Sequence, residues 1–237
     1  MLIKSLRKFT PARARNYSFF IQGNDLSIQS FRQTSAGNVV CANTNTCGRI
    51  NNRNGDELAV QGTAGFRPTY NTNQVNGHGA LVPDGTDDFL TLNTNRALGG
   101  DWLFGAAWHL ETGAPTVFLG GNPGGDLQGI AYDPSAKSIY VYDDYGSLEG
   151  NLVSASWPAT EQDCAVAIQR VGNVITANLN GVIISVTTAI LELTIKTLFQ
   201  IQDSYSPSPL NAMFLANGTA NPHDFDDVYN FMSDIAL

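Results

Sequence analysis

Three acidic groups carry the residue types most suited to chemistry in this sequence: Asp84, Asp87 and Asp88; Asp143 and Asp144; and Asp224, Asp226 and Asp227. Carboxylates that converge with loop carbonyls at a rim are what a hard cation takes as ligands, so Asp84, Asp87 and Asp88 are candidate calcium ligands. Asp-Gly and Asp-Asp pairs also simply cap turns, because an Asx side chain bonds its own backbone, and no spaced ligand loop of the EF-hand kind is present. No cofactor is implied beyond that one candidate. A sugar platform is the other chemistry on offer, since sugar rings stack on Trp and Tyr faces while flanking amides and carboxylates take the hydroxyls. Trp157, Tyr132, Tyr145 and Tyr205 fall in turn-rich segments and are the candidate carbohydrate-binding residues, whereas Trp102 and Trp108 lie in or beside an apolar run and read as core.

Other catalytic signatures are missing. His78, His109 and His223 show no His-Glu-x-x-His or related spacing, and no Gly-x-Ser-x-Gly elbow or Walker motif occurs. Residues 120–125 (GGNPGG) lack the Lys-Ser/Thr that a phosphate loop needs and read as a surface loop. His109, beside Trp108, is expected to be packed or hydrogen-bonded. The three cysteines are too few for a disulfide framework in 237 residues. Cys41 and Cys47 sit in an Asn-rich stretch and could pair or stay free, and Cys164 in an alternating run reads as a small buried hydrophobe.

The elements that must position these residues read as strands. With 43% hydrophobic and only 14% charged residues, 23 Gly and 10 Pro, the composition suits many short strands joined by loops around one sizeable core. Residues 17–22 (YSFFIQ) are β-prone, and the Asn-, Gly- and Thr-rich stretch to Thr72 reads as loops with one or two short edge strands. From Gly79 onward, β-branched or aromatic runs alternate with turn clusters at 89–92, 102–109, 116–119, 128–132, 138–142, 164–171, 174–179, 182–187 and 198–202. In CAVAIQRVGNVITANLNGVIIS, Gly172-Asn173 and Asn180-Gly181 tolerate positive φ and separate strand-like segments, which predicts a three-stranded meander. Helical periodicity is weak and confined to 188–193 and 226–235. A single domain over 17–237 follows, preceded by a basic arm at 1–16.

Five of the thirteen basic residues, Lys4, Arg7, Lys8, Arg13 and Arg15, lie in that arm, leaving a net charge of -13 on the rest. A body this acidic repels nucleic acid, so only the arm is expected to touch a phosphate backbone or an acidic partner. The arm lacks an uninterrupted apolar stretch and a small-residue cleavage site, so export through a cleaved leader is not expected. No window approaches 18 consecutive apolar residues, so no membrane insertion is expected.

Several patches in order resemble one family. Arg67-Pro68-Thr69, then Val75-Asn76-Gly77, then Pro83-Asp84-Gly85-Thr86-Asp87-Asp88-Phe89-Leu90 are similar to the opening of the concanavalin A-like lectin/glucanase superfamily, in particular the laminin G-like modules of bacteriophage structural proteins. Residues 103–108, 139–142, 165–170 and 174–181 look like its core strands, and 225–235 (FDDVYNFMSDI) looks like its closing strand. Residues 47–55 (CGRINNRNG) match the family's Trp-x-Asp-x-Ser-Gly-Asn-Gly stretch only loosely. The resemblance implies an all-β fold, an antiparallel β-sandwich jelly roll. Glucanases of this superfamily carry a Glu-x-Asp-x-(x)-Glu run on one strand, and Glu57, Glu111, Glu149, Glu161 and Glu192 are isolated, so the chain is expected not to be an enzyme. The resulting expectation is a phage virion structural protein, capsid- or tail-associated, whose arm docks on other virion proteins and which forms homo-oligomers. The alternative is a carbohydrate-binding lectin module that attaches to a cell-surface glycan.

Overall fold

In the computed structural model, the described residues are 17–23, 31–37, 39–52, 57–121, 128–142, 148–189, 192–217 and 222–237. The arm with Lys4, Arg7, Lys8, Arg13 and Arg15 lies outside them, as do Tyr145 and the Asp143/Asp144 pair. Among the described residues, twenty strands and one 3-10 turn (Ala64–Phe66) precede one α-helix. They are β1 (Tyr17–Gln22), β2 (Phe31–Arg32), β3 (Asn45–Thr46), β4 (Arg49–Asn51), β5 (Glu57–Val60), β6 (Thr69–Val75), β7 (His78–Val82), β8 (Leu90–Gly99), β9 (Trp102–Leu110) and β10 (Thr116–Gly120). There follow β11 (Gly129–Asp133), β12 (Ser138–Tyr142), β13 (Leu148–Val153), β14 (Gln162–Val171), β15 (Val174–Leu179), β16 (Val182–Thr187), β17 (Glu192–Leu198), β18 (Gln200–Ile201), β19 (Ser204–Tyr205), β20 (Leu210–Asn217) and α1 (Pro222–Ala236).

Eighteen of these strands form two nine-stranded sheets, one in the order β16-β15-β14-β9-β20-β7-β6-β3 with β1 also on β20, the other β13-β12-β11-β10-β17-β8-β5-β4-β2, and β18 and β19 form a two-stranded ribbon. Neighbours pair antiparallel. The chain crosses repeatedly between sheets, as from β8 to β9 and back to β10, so the expected antiparallel β-sandwich is what forms. The meander of β14, β15 and β16 is present, and its second turn has φ of 48° at Asn180 and 85° at Gly181, the left-handed pair a tight hairpin needs.

Between the sheets, Trp102, Phe104, Trp108, Phe118, Tyr132 and Trp157 belong to one buried cluster. Their rings run in sequence: Phe104 to Phe118 at 5.5 Å, Trp108 to Phe118 at 4.9 Å, Trp108 to Tyr132 at 6.3 Å and Tyr132 to Trp157 at 6.3 Å. The outer face of the first sheet has its own core, in which Leu103, Ala107, Ala165, Ala167 and Ala212 lie beneath Phe225, Val228, Met232 and Ile235 of α1.

Three expectations need correction. Residues 225–235 form a helix rather than a closing strand, because their apolar residues recur every three or four positions over a stripe of small residues, and Asp224 sits in the first turn where the helix dipole favours it. The stretch to Thr72, expected to hold one or two short edge strands, contains β2, β3, β4, β5 and the start of β6, since most of these strands are only two to four residues long and Asn and Thr dominate β6. The weak helical pattern at 188–193 gives way to β17, which begins at Glu192.

Gly105 of β9 marks how closely the helix approaches, since a Cβ there would stand 2.5 Å from Val228 Cγ1. Gly105→Ala is expected to destabilise the fold by about 1–3 kcal/mol, measured by urea denaturation, with Val228→Ala in the same chain recovering part of the loss.

Candidate functional site

The acidic residues at 84–88 form a tight loop after β7. Asp84 Oδ1 accepts hydrogen bonds from the N–H groups of Thr86 at 2.8 Å and Asp87 at 3.2 Å, and Asp88 Oδ2 accepts the Asp84 N–H at 3.0 Å. Turn capping is therefore one job of these carboxylates. They also converge, with ligand oxygens of Asp84, Asp87 and Asp88 all within 4.8 Å of one another. Asp84 is exposed, Asp87 half-buried and Asp88 buried. Burial, and after it the negative charge of Asp84, pushes the Asp88 carboxyl up from 3.8 to about 6, the Asp84 N–H opposing and Asp87 adding to the rise. Oxygens so placed could take a hard cation such as calcium, which would relieve that repulsion.

Beside the loop stands a row of aromatic rings. Phe89 stacks on Phe66 at 6.2 Å, and Tyr205 lies 6.4 Å from Phe89. The Phe89 N–H donates to Phe66 O at 3.2 Å, and the Gln61 side-chain amide donates to Phe89 O at 3.4 Å. Tyr205 belongs to the ribbon of β18 and β19, and its hydroxyl accepts from Gln200 Nε2 at 3.1 Å. A Cβ on Gly85 would lie 3.0 Å from Pro207, so the 84–88 and 205–208 segments touch. Phe66 is 38% exposed, and Phe89 and Tyr205 are half-buried.

Of the sequence candidates, the structure thus brings together Tyr205, Asp84, Asp87 and Asp88. It does not add Trp157 or Tyr132, which were expected on an exposed platform and are 1% and 0% exposed. Trp157 fills the gap between the sheet edges and its Nε1 donates to Val182 O at 3.2 Å, while the Tyr132 hydroxyl donates to Pro158 O and burial pushes that phenol well up. Turn-rich sequence around an aromatic does not imply exposure when the turn folds back over the core. Phe66 and Phe89 were overlooked. A signal existed for Phe89: residues 90 and 92 are the inward positions of β8, so period-2 alternation turns Phe89 outward. His109 is hydrogen-bonded as expected, its Nδ1 2.7 Å from Asp163 Oδ1, with the Asn76 N–H donating to Asp163 Oδ2 at 2.6 Å. Asp224, Asp226 and Asp227 stand on α1.

No family model matches the chain, and no curated protein matches its sequence. Solved structures do match in shape. An arabinofuranosidase complexed with arabinofuranosyl-alpha-1,2-xylobiose is similar with a TM-score of 0.56 at 12% identity, over 81% of this chain and 51% of that one. A GH54 arabinofuranosidase soaked with a cyclic sulfate inhibitor gives 0.55 at 12% identity over the same shares. A Trypanosoma rangeli sialidase in complex with sialic acid gives 0.52 at 12% identity, over 94% of this chain and 34% of that one. The chain spans about half the length of the arabinofuranosidases and a third of the sialidase. At these identities the likeness establishes the β-sandwich fold. It also overturns the expectation that the chain is not an enzyme. That expectation rested on a missing Glu-x-Asp-x-(x)-Glu run, and glycoside hydrolases of other kinds share this fold. The virion reading gains no support from these likenesses.

The raised Asp88 carboxyl sets a pH dependence. Its folded value of about 6 exceeds the ordinary 3.8, so the folded state holds the proton more tightly and this contribution is complete below about pH 4 and lost as pH rises through about 6. Asp88→Asn, which keeps an acceptor for the Asp84 N–H, is expected to raise Tm at pH 8 and to flatten Tm across the interval from pH 4 to pH 7 in thermal scans.

Proposed function

We propose that this chain binds a carbohydrate on the row formed by Phe66, Phe89 and Tyr205, with Asp84 and Asp87 receiving sugar hydroxyls at its flank. The observation that carries the reading is the adjacency of three partly exposed rings to three convergent carboxylates. Ring faces bind the apolar face of a sugar while carboxylates orient its hydroxyls, and neither group alone gives that specificity. The arabinofuranosidase structure in complex with arabinofuranosyl-alpha-1,2-xylobiose and the sialidase structure in complex with sialic acid support a glycan as ligand class on this fold. The sandwich itself we take to be of the concanavalin A-like, laminin G-like type. Docking of the 1–16 arm on a virion partner rests on sequence alone and is the weaker reading.

A second reading, glycoside hydrolysis at the same rim, is favoured by one observation. Retaining hydrolysis uses two carboxyl groups about 5 Å apart, one of them protonated near neutral pH. Asp88, pushed up to about 6 and with a carboxylate oxygen no more than 4.8 Å from those of Asp84 and Asp87, favours such a pair.

A glycan array that includes arabinosyl-, xylosyl- and sialyl-terminated sugars, read with and without calcium, tests the first reading. Saturable binding is expected, with Tyr205→Ala and Phe66→Ala each weakening it roughly two- to tenfold at unchanged Tm. Undiminished binding by both variants would remove the site from this rim. Release of reducing sugar from the bound glycan, lost in Asp88→Asn, would establish the second reading.

A further inference from the structure

Cys41 and Cys47 stand at the two ends of one closed turn. Asn45 donates its N–H to Ala42 O at 3.0 Å, and its Oδ1 accepts the Ala42 N–H at 2.9 Å. The turn is held from outside by further bonds, among them Thr44 N–H to Tyr70 O at 2.8 Å, Thr72 N–H to Asn43 Oδ1 at 2.8 Å, Cys41 N–H to Phe31 O at 3.0 Å and Cys47 N–H to Pro68 O at 2.7 Å. Inside it, the Cys41 thiol donates to Thr46 O, the carbonyl just before Cys47, at 3.7 Å, and the Cys47 thiol to Arg49 O at 3.2 Å. The two thiols are neighbours, Cys41 adding to the rise that burial imposes on the Cys47 thiol. Both are free, with Cys41 8% and Cys47 0% exposed.

We propose that Cys41 and Cys47 form a reversible intramolecular disulfide by exchange with a low-molecular-weight disulfide such as oxidised glutathione. The Cys41 thiolate, on the side nearer solvent, attacks one sulfur of the small disulfide; that S–S bond breaks and a thiolate leaves, taking up the proton Cys41 released. The Cys47 sulfur, losing its own proton, then attacks the Cys41 sulfur of the mixed disulfide, and the second small thiol leaves with that proton. The protein is oxidised by two electrons and the small disulfide is reduced to two thiols. Burial and the neighbouring Cys41 keep the Cys47 thiol protonated in the resting state, which makes it the resolving partner rather than the attacking one. Cys164 has no part in this: it is buried on β14, pushed up to about 12 by burial, and accepts from Asn180 Nδ2 at 3.7 Å. The bridge would fix the turn that holds Pro68, two residues beyond Phe66.

The test is intact-mass and peptide analysis of the full folded chain after incubation with oxidised glutathione in the absence of denaturant. The expected result is a mass lower by two hydrogens, an internal link between residues 41 and 47, a fall from three titratable thiols to one, and a Tm higher than that of the reduced chain by on the order of 5 °C. Cys47→Ser is expected to retain one glutathione on Cys41 instead. Three titratable thiols after the incubation, or a bridge that includes Cys164, would overturn the proposal. The wild-type mass decides the matter even where the variant fails to fold.

Discussion

Strand β9 has to bury both of its faces, and most of the architecture follows from that requirement. Trp102, Phe104, Ala106, Trp108 and Leu110 point into the core between the sheets, while Leu103 and Ala107 point the other way into the layer under α1. A strand apolar on both sides cannot lie at a surface, so it takes a central position between β14 and β20 and demands a cover on the outer face. The two faces solve the demand differently. The inner one uses large rings in edge and tilted contacts, the outer one uses Gly105 and alanines so that Val228 and Met232 of α1 can sit almost on the backbone.

With the centre fixed, the remaining difficulty is the edges. The two sheets meet at their edges, β16 against β13 on one flank, and on the other Asn45 of β3 bonded to Gln33 just after β2. On the first flank Val182, Ile184 and Val186 face the core while Ile183, Ser185 and Thr187 face solvent, and Trp157 closes the gap with its indole bonded to the Val182 carbonyl. The other flank buries Phe31 against Tyr70 at 5.5 Å and adds polar bonds, such as Gln33 Nε2 to Asn45 Oδ1 at 2.9 Å and the Arg67 guanidinium to Gly62 O at 2.6 Å. Both flanks are thus closed by aromatic side chains, and the second adds amide and guanidinium bonds from Asn-, Gln- and Arg-rich segments, so an apolar pattern can be followed through residues 79–217 and is interrupted before Thr72.

That division also governs what could be read from residues alone. The sandwich, the meander at 164–187, the core placement of Trp102 and Trp108 and the hydrogen-bonded His109 are local or periodic signals, and they survive because alternation in a strand is a two-residue property. The exposure of Trp157 and Tyr132 is not local: it depends on whether a turn folds back over the sheet edge. Helix α1 competed with a family-based expectation of a strand, and the tertiary stripe of Gly and Ala beneath it decided the outcome. The candidate site was half legible. Asp84, Asp87, Asp88 and Tyr205 stood out by type, but the step that joins them runs from residue 61 to residue 207 and passes through Phe66, at the end of a short 3-10 helix, and Phe89, which looks like an ordinary core residue until the face of β8 is known.

The join itself is a consequence of strand alternation carried one residue past the end of β8. Leu90 points in and Phe89 points outward, so Asp88 is turned back in, against Asp84 and Asp87. Ring and carboxylate are adjacent because they are consecutive, and neither can be moved without reversing the other. The burial that this alternation forces on Asp88 is also the largest cause of its raised carboxyl. It follows that a group donating hydrogen bonds or positive charge to Asp84 and Asp87 lowers the Asp88 value, since it weakens the repulsion on the third carboxylate. By linkage, occupancy of the rim and the protonation of Asp88 then oppose each other, and a ligand that enters through the carboxylates binds more tightly as pH rises through about 6, whereas one held by the rings alone is indifferent to it.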